Sequence, residues 1–245
     1  MKKKINKELL SLFKKLNIKE NDKIIIHSNL ACINQFLLTD KNDCANFFFF
    51  EFLKKYIGKK GSIIIPTYNY DFTKKKKFNH KFTKSQVGFF GNYLLKKHYK
   101  RRTRDPIFSH LVFGRNSNAF FNIKYDEAFG PNSIFSFMLK KNYKILCLGC
   151  SSNSMTFLHF LEKQNNVSYR YNKIFKLQNQ SYKYFVGKKK IDYSLKEKNI
   201  NKLIDQKYFI KKNYGRYSCY STSCKFLAKK IKDKLKKNIN FLISQ

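Results

Sequence analysis

A buried strand followed by a polar turn and a helix constrains this chain more than any other feature. The segment 145–162, ILCLGCSSNSMTFLHFLE, begins with a short apolar run that Gly149 closes. Such a run is typical of a strand covered on both faces. Ser151 to Ser154 then supply the turn and the hydroxyls that cap a helix N-terminus. The segment therefore predicts a strand whose carboxyl end leads directly into a helix.

The predicted helix carries three polar side chains at spacings of three residues. Thr156, His159 and Glu162 therefore lie along one face of this helix. A hydroxyl, an imidazole and a carboxylate beside a strand end are the parts of a proton-handling site, and ligands of open α/β sheets gather at such ends. The alternative interpretation is an ordinary helix whose His and Glu are solvated or paired with each other.

Helix and strand patterns alternate over residues 1–162, which favours a layered α/β fold. Strands are predicted at 23–27, 61–65, 108–113 and 145–148, as neighbours in one sheet with their carboxyl ends on a common cleft. Helices are predicted at 7–17, 44–57, 85–97, 134–139 and 225–242. Without repeats or a Pro/Gly-rich linker, residues 1–245 form one predicted domain. Segment 163–224 is a candidate small subdomain, with strands in 175–191 around a turn at Gly187.

The composition indicates how large a hydrophobic core the chain can form and in which compartment we expect the protein. A hydrophobic content of 42% permits a substantial core. No apolar run approaches the roughly 20 residues that cross a bilayer, so we expect no membrane span. The first residues, MKKKINKE, lack the apolar core of a signal peptide. We therefore predict a cytoplasmic protein.

The net charge of +37 raises the hypothesis of nucleic-acid binding. Of the 52 basic residues only six are arginine, and the lysines are spread along the whole chain. Lys, Asn, Ile, Phe and Tyr are abundant together, and A- and T-rich codons encode all of them. Codon drift in an AT-rich genome would produce the same charge without a polyanionic partner. We therefore expect non-specific affinity for polyanions at low salt, but no specific nucleic acid.

The six cysteines do not form the dense pattern of a disulfide scaffold. Cys147 and Cys150 do have the C-x-x-C spacing that can bind zinc or carry redox chemistry. This pair spans the end of the predicted strand, and Cys219 and Cys224 are too far apart in sequence to complete a zinc knuckle. We favour structural cysteines and expect no metal site.

Five sequence blocks, which cover about residues 20–225, resemble the aminoglycoside 3-N-acetyltransferase family in the order of its motifs. His27 to Leu30 resembles its "HsSl" turn, and Gly61 to Thr67 resembles the strand "GtlvmPT". The third block, similar to "TpSxvG…RSxhPxxS", spans Thr83 to Gly88, Arg102 to Pro106, and Ser109. The last two blocks are Phe129 to Ser133, similar to "FGxxSp", and Thr156 to Glu162, similar to "T-x-x-H-x-x-E", which Val167-Ser168-Tyr169-Arg170 follows as in "vpYR".

The resemblance implies an αβα layered fold around a central mixed sheet. It also implies direct transfer of an acetyl group from acetyl-CoA to an amine, without an acyl-enzyme. An amine must be neutral to attack a thioester, so His159 is assigned as general base. Glu162 would orient it or bind the acceptor, and Thr156 would cap the helix or contact the oxyanion. The residues assigned to the cofactor are Ser28, Asn29, Leu30, Thr67, Ser85, Arg102, Thr103 and Ser109, whereas His27 is assigned as a satisfied strand-end residue and His80, His98 and His110 receive no role.

The sequence departs from the family pattern at several positions. Asn29 and Thr103 stand where Ser is usual, while Ile134 and Ser168 replace prolines. Thr103 keeps a hydroxyl, whereas Asn29 offers donors of different geometry. The chain is also somewhat short for the family, so the acceptor lobe is expected to be reduced.

The acceptor is predicted from charge. An enzyme for polycationic aminoglycosides needs acidic residues, but this chain has only 15 against 52 basic ones. Charge complementarity therefore favours a nucleotide-linked or polysaccharide amino sugar. The alternatives are an aminoglycoside acceptor (and thus antibiotic resistance), a non-enzymatic basic protein that binds nucleic acid, and an enzyme that has lost its activity. A homodimer is an open alternative for the assembly.

Overall fold

The computed structural model describes residues 2–37, 42–74, 77–177, 180–189 and 192–244. Within these ranges the strands are β1 (Lys23–Ser28), β2 (Ser62–Pro66), β3 (His110–Gly114), β4 (Lys144–Leu148), β5 (Arg170–Leu177), β6 (Gln180–Gly187), β7 (Phe209–Tyr214) and β8 (Tyr217–Ser223). The helices are α1 (Lys2–Lys15), α2 (Ala31–Leu37), α3 (Asn42–Ile57), α4 (Phe89–His98), α5 (Ser117–Phe121), α6 (Ile134–Lys140), α7 (Phe157–Gln164), α8 (Glu197–Asn201) and α9 (Cys224–Lys237).

Six of these strands form a central mixed sheet in the order β3-β2-β1-β4-β8-β7. The central pairs β1–β2 and β1–β4 are parallel, and the outer pairs are antiparallel. The parallel strands have continuous apolar sequences, such as SIIIP in β2 and KILCL in β4. Such runs form strands that bury both faces, as the sequence predicted.

The sheet separates two hydrophobic cores, which confirms the predicted αβα layers. On one face, α1, α3 and α4 cover Ile24, Ile26 and Leu146. On the other face, α6, α7 and α9 cover Ile25 and Ile145. Neighbouring strand residues enter opposite cores because side chains alternate along a strand.

The prediction that four strands place their carboxyl ends on one cleft is wrong for β3. The four strands are neighbours in the sheet, and β1, β2 and β4 run in the same direction. β3 is antiparallel to β2, with His110 opposite Pro66. Its amino end, and therefore His110, lies beside the carboxyl end of β2. An apolar pattern predicts that a strand exists but says nothing of its direction.

Segment 163–224 divides between two parts of the fold. Its strands β7 and β8 complete the central sheet through the β8–β4 pairing. Its strands β5 and β6 form a separate two-stranded hairpin. The predicted turn at Gly187 is wrong, because the hairpin reverses between Leu177 and Gln180 and Gly187 ends β6. Residues 178–179 and 190–191 of that prediction lie outside the described residues.

Several predicted helix boundaries are also wrong, among them those of the helix predicted at 7–17, which spans Lys2–Lys15. The helix predicted from 85 begins at Phe89, because Gly88 has a φ of 71° and stands outside the helix. The helix predicted to reach 242 ends at Lys237. The residue that precedes α7 is Thr156, and no side-chain hydrogen bond caps this helix. Ser152–Ser154 instead form a 3₁₀ turn, which places the predicted capping hydroxyls one turn too early.

The motif Phe129 to Ser133 has a clear local cause. Ser133 precedes α6, and its hydroxyl accepts a hydrogen bond from the N–H of Ser136 at 3.2 Å. The same hydroxyl donates to the carbonyl of Gly130 at 2.7 Å. Ser133 therefore both closes the preceding turn and starts the helix. In the part of the chain that the structure describes, no helix is long and apolar enough to cross a membrane.

Asp105 is a buried carboxylate in the loop before β3. Its Oδ1 accepts hydrogen bonds from the N–H groups of Ile107 (2.9 Å) and Phe108 (2.7 Å) and from the Tyr184 hydroxyl (3.1 Å). Burial raises the pKa of Asp105 to about 6, although these hydrogen bonds oppose the rise. The folded carboxyl therefore keeps its proton to higher pH than an unfolded one. Its contribution to stability is present at low pH and is lost as the pH rises from about 4 to about 6.

Replacing Asp105 with Asn removes the buried charge but keeps an acceptor oxygen for the same donors. We expect Asp105→Asn to raise the free energy of unfolding near pH 8 by about 1–3 kcal/mol, since one pKa unit corresponds to about 1.4 kcal/mol. Urea unfolding followed by circular dichroism across the acid and neutral range measures this gain. Asp205 is the matched control, because its Oδ1 also accepts from the N–H groups two and three residues ahead, but its pKa is lowered. Asp205→Asn should not stabilise the protein, and an Asp105→Asn variant less stable than wild type near pH 8 would contradict the assignment.

Candidate active site

The centre of the candidate site is a pair of side chains one turn apart on α7. The Nδ1 atom of His159 lies 2.6 Å from Oε2 of Glu162. Glu162 is completely buried, whereas the His159 side chain keeps 26% of its surface exposed. The spacing of three residues therefore brings the Glu162 carboxylate to the Nδ1 side of the His159 ring, and the ring itself remains partly exposed.

Arg170, the first residue of β5, completes the surroundings of Glu162. Its Nε lies 2.8 Å from the same Oε2 atom, and the Arg170 side chain is itself nearly buried. Burial alone would raise the pKa of Glu162, but the hydrogen bond with His159 and the charges of His159 and Arg170 outweigh it and lower the pKa. Glu162 is therefore an anion when it faces the imidazole.

A cavity of about 340 Å³ lies in front of His159. Its walls come from the carboxyl ends of β1 and β2, from the turns that precede α4 and α7, and from α7 itself. Ser28 and His159 both line this cavity, so the prediction that they share one cleft is confirmed. The polar side chains in its walls are those of His27, Ser28, Tyr68, Tyr70, Asn153, Ser154, Thr156 and His159.

Tyr68 and Thr156 line the cavity and form a polar group with His110. The Tyr68 hydroxyl lies 2.9 Å from Nε2 of His110. Burial raises the pKa of Tyr68 well above its ordinary value, although a hydrogen bond with Thr156 opposes the rise. Burial also lowers the pKa of His110 to about 3, with a further contribution from nearby His27. Tyr68 and His110 are therefore neutral at physiological pH.

His27 is buried at the end of β1 and lines the cavity. Burial lowers its pKa to about 4, so the ring is neutral. Its Nε2 has no hydrogen-bond partner among the described residues. The expectation of a satisfied strand-end histidine is therefore wrong for this atom.

A second cavity, of about 410 Å³, adjoins the first. Ser28, Gly88 and Phe90 line both cavities. The second is also lined by Asn29, Leu30, Ala31, Asn34, Asn46 and Phe89. The three neighbouring residues predicted to contact the cofactor, Ser28 to Leu30, thus lie together in its wall. Asn29 starts α2, because its Oδ1 accepts a hydrogen bond from the N–H of Ala31 at 3.1 Å.

The other predicted cofactor residues are buried in a network around Arg102. The guanidinium donates to the carbonyls of Thr67 (2.9 Å), Thr83 (2.6 Å) and His80 (3.3 Å) and to the Ser109 hydroxyl (2.9 Å). Arg102 is only 1% exposed. Through these contacts Arg102 joins three loops. Its side chain lines neither of the two cavities.

The hydroxyl groups of the other predicted cofactor residues also form hydrogen bonds within the protein. Ser109 donates to the Thr67 carbonyl at 2.8 Å, and the Thr67 hydroxyl meets that of Ser109 at 3.1 Å. Thr103 accepts from the N–H of His110 at 2.9 Å, and the Ser85 hydroxyl donates to the Val87 carbonyl at 3.0 Å. Contact of these residues with the cofactor stays a prediction.

The chain matches the model of a known protein family. The family model described as aminoglycoside 3-N-acetyltransferase matches residues 25–236. The chain belongs to the aminoglycoside 3-N-acetyltransferase family. Enzymes of this family use acetyl-CoA as donor, and the chain is an N-acetyltransferase that transfers the acetyl group to an amino group. No curated protein sequence matches the chain.

Solved acetyltransferase structures share the fold. The apoenzyme of aminoglycoside acetyltransferase AAC(3)-IVa superposes with a TM-score of 0.76 at 13% identity, over 100% of this chain and 91% of the other. AAC-IIIb, solved as a binary complex with CoASH, gives 0.72 at 12% identity over 97% and 96% of the two chains. AAC-VIa bound to sisomicin gives 0.73 at 14% identity over 96% and 97%.

Sequence reasoning missed Tyr68 and Cys150, which line the first cavity, and His110, which contacts Tyr68. Tyr68 lies two residues after the carboxyl end of β2, and this position was the available signal for it. His110 received no role because the direction of β3 was not predicted. Cys150 lines the cavity, although the C-x-x-C motif was interpreted as structural. In the described parts of the chain, no group of three or more His, Cys, Asp or Glu side chains could hold a metal ion.

The contacts of Arg102 predict a large effect of its removal on stability. We expect Arg102→Ala to lower the free energy of unfolding by about 3 kcal/mol or more, because each buried acceptor that loses its donor costs about 1–3 kcal/mol. Exposed Arg101, the neighbouring residue, is the matched control, and Arg101→Ala should change stability by less than about 1 kcal/mol. Chemical denaturation measures both variants.

A phosphate contact of Arg102 is tested separately, in Arg102→Lys. This variant keeps the positive charge, and calorimetric titration of the folded protein with CoA measures its affinity. Weaker binding would place the guanidinium in the cofactor site. Unchanged binding together with reduced stability would assign Arg102 to the loops alone.

Proposed function

We propose that His159 is the general base of the acetyl transfer and that the amine attacks acetyl-CoA directly. The observation that carries this proposal is the contact of His159 Nδ1 with Glu162 beside the cavity. An imidazole that donates its Nδ1–H to a carboxylate carries a lone pair on Nε2. This lone pair can take the proton that an amine loses when it attacks the thioester.

Glu162 and Arg170 support the base in this mechanism. The buried carboxylate orients the ring and stabilises the imidazolium that forms when His159 accepts the proton. Arg170 keeps Glu162 ionised, so the proton stays on the imidazole rather than moving to the carboxylate. Thr156 and Tyr68 present neutral hydroxyls in the same cavity, and Thr156 is our candidate for the contact with the developing oxyanion.

We place the cofactor across the two connected cavities. The thioester lies in the first cavity beside His159, and the pantetheine arm passes Ser28 and Gly88 into the second. The shared walls of the two cavities support this path. Ser28, Asn29 and Leu30 lie where the arm leaves the first cavity. A cofactor that enters from the second cavity leaves the opposite side of the first for the acceptor.

The acceptor that we propose is an amino sugar with an anionic group, such as a nucleotide-linked or polysaccharide amino sugar. Among the described residues that line the first cavity, none is a carboxylate. Glu127, which is near α7, forms ion pairs with Lys163 of that helix and with Lys183. The walls therefore lack the free negative charge that a polycationic acceptor would need. The alternative is an aminoglycoside, since AAC-VIa is solved with sisomicin.

The base is tested by replacing His159 with Ala. Turnover should fall by roughly 10²–10⁴-fold, the usual contribution of a positioned acid–base group. The affinity for acetyl-CoA should remain close to that of wild type, because the residue transfers a proton rather than holding the cofactor. Steady-state release of CoA and calorimetry measure the two quantities. Wild-type turnover in His159→Ala would refute the assignment.

Glu162→Gln separates orientation of the base from binding of the acceptor. Gln keeps the shape of the side chain but removes the charge that stabilises the imidazolium, so kcat should fall. A raised KM for the acceptor with unchanged kcat would instead assign Glu162 to the acceptor. Glu197→Gln is a matched control, because Glu197 is also hydrogen-bonded, to the Tyr220 hydroxyl, but lies outside the cavity.

The acceptor is tested with a panel of amines at saturating acetyl-CoA. We expect kcat/KM to be higher for nucleotide-linked amino sugars than for the free sugars or for sisomicin. This preference should weaken as salt rises, because ions screen the attraction between an anionic substrate and a basic protein. A higher kcat/KM for sisomicin would overturn the anionic acceptor and leave the role of His159 intact.

A further inference from the structure

The C-x-x-C motif lies at the wall of the catalytic cavity. Cys147 is the fourth residue of β4 and is completely buried. Gly149, with a φ of 69°, turns the chain so that the Cys150 side chain meets that of Cys147. The Cys150 thiol also donates to the carbonyl of His27 at 3.4 Å. Both cysteines are thiols rather than members of a disulfide.

Cys150 is accessible from two sides. It is partly exposed and lines the catalytic cavity together with His27, Ser154 and His159. It also lines a separate outer pocket of about 340 Å³. A thiol in this position separates the catalytic cavity from a second opening to solvent.

The two thiols differ in acidity. The pKa of Cys150 is lowered, because a hydrogen bond with Cys147 outweighs the effect of burial and Ser154 contributes a second hydrogen bond. Burial raises the pKa of Cys147 well above its ordinary value. A partly exposed thiol with a lowered pKa beside a buried thiol with a raised pKa is the arrangement in which the first attacks a disulfide and the second resolves it.

The outer pocket carries a positive charge. Lys211 and Arg216 line it, and among the described residues in its wall the one carboxylate is that of Glu197. Glu197 accepts hydrogen bonds from the Tyr220 hydroxyl at 3.0 Å and from the N–H of Ser152 at 3.3 Å, so it is already engaged. The pocket therefore suits a small molecule with carboxylate or phosphate groups.

We propose that Cys150 is a modification site for small anionic disulfides, which enter through the outer pocket, and that Cys147 resolves the adduct. The Cys150 thiolate attacks one sulfur of the disulfide, forms a mixed disulfide and releases the other half as a thiolate. That thiolate takes the proton of Cys147, whose sulfur then attacks Cys150 and releases the second half. The protein loses two hydrogens as it gains the Cys147–Cys150 bond, and the small disulfide is reduced to two thiols.

Modification changes the catalytic cavity, and this consequence rests on the proposed function. A mixed disulfide on Cys150 adds a group at the wall that Thr156 and His159 share. The internal disulfide removes the hydrogen bond from the Cys150 thiol to the His27 carbonyl. Either product should slow acetyl transfer, and a reducing agent should restore it.

The test follows intact mass after incubation with oxidised glutathione. We expect wild type to gain one glutathione and then to lose it together with two hydrogens. Cys147→Ser should stop at the stable adduct, whereas Cys150→Ser should form neither product. Cys219→Ala, which removes a buried cysteine near this pair, is the matched control and should behave as wild type. Equal modification of Cys150→Ser and wild type would overturn the proposal, whether or not the protein shows acetyl transfer.

The charge of the disulfide provides a second test. For each disulfide, the rate of reaction with the protein is divided by the rate of its reaction with a free thiol peptide, which corrects for intrinsic reactivity. The corrected rate should be higher for oxidised glutathione than for cationic cystamine. The double variant Lys211→Gln, Arg216→Gln should lose this preference, and Lys212→Gln, outside the pocket, should keep it. A preference for cystamine would overturn the assignment to anionic disulfides. Loss of acetyl transfer on oxidation in wild type but not in Cys150→Ser, each relative to its own untreated rate, completes the test.

Discussion

The candidate site depends on the buried carboxylate of Glu162. A carboxylate without water is costly by several kcal/mol unless cations compensate it. Here His159 lies 2.6 Å and Arg170 lies 2.8 Å from the same oxygen, one from α7 and the other from the start of β5. One carboxylate therefore orients the imidazole and also ties the hairpin to the helix that carries it. The block that follows T-x-x-H-x-x-E in the sequence is explained by this contact, since its Arg faces the motif's Glu.

The opposite wall of the cavity depends on a second buried charge. Arg102 gathers the carbonyl of Thr67, just after β2, and the carbonyls of His80 and Thr83, both in the loop before α4. Tyr68 directly follows Thr67, so the anchored loop fixes the residue that faces His110 and the catalytic cavity. A guanidinium suits this position because its planar fork donates to several acceptors at once. Two buried charges, Glu162 and Arg102, therefore hold in place the elements around the cavity.

The sequence predicted the parts of the fold and site that local pattern determines. The apolar runs of β1, β2 and β4 identified the parallel strands, and the spacing of His159 and Glu162 placed them on one helical face. The pairing direction of β3 is a long-range property, so His110 was missed together with its contact to Tyr68. Ser109 and other residues with hydroxyl groups were assigned to the cofactor site because they match the family motifs. Whether a hydroxyl faces a ligand or a neighbouring carbonyl depends on the folded loops, which a linear pattern does not describe.

The charge of the protein and the charge of its cavity are separate quantities. The net charge of +37 is spread over the chain, whereas the neutral rings of His27 and His110 lie at the cavity. Salt screens exposed charges beyond about 8 Å at physiological ionic strength, so distant lysines act on the approach of an anionic cofactor rather than on the reaction. Inside the cavity an incoming ammonium loses water, which lowers its pKa, and in the described walls it meets no carboxylate that would raise the pKa again. The cavity therefore favours the neutral amine that the reaction requires, and in the mechanism that we propose His159 has only to remove the proton that the attack on the thioester releases.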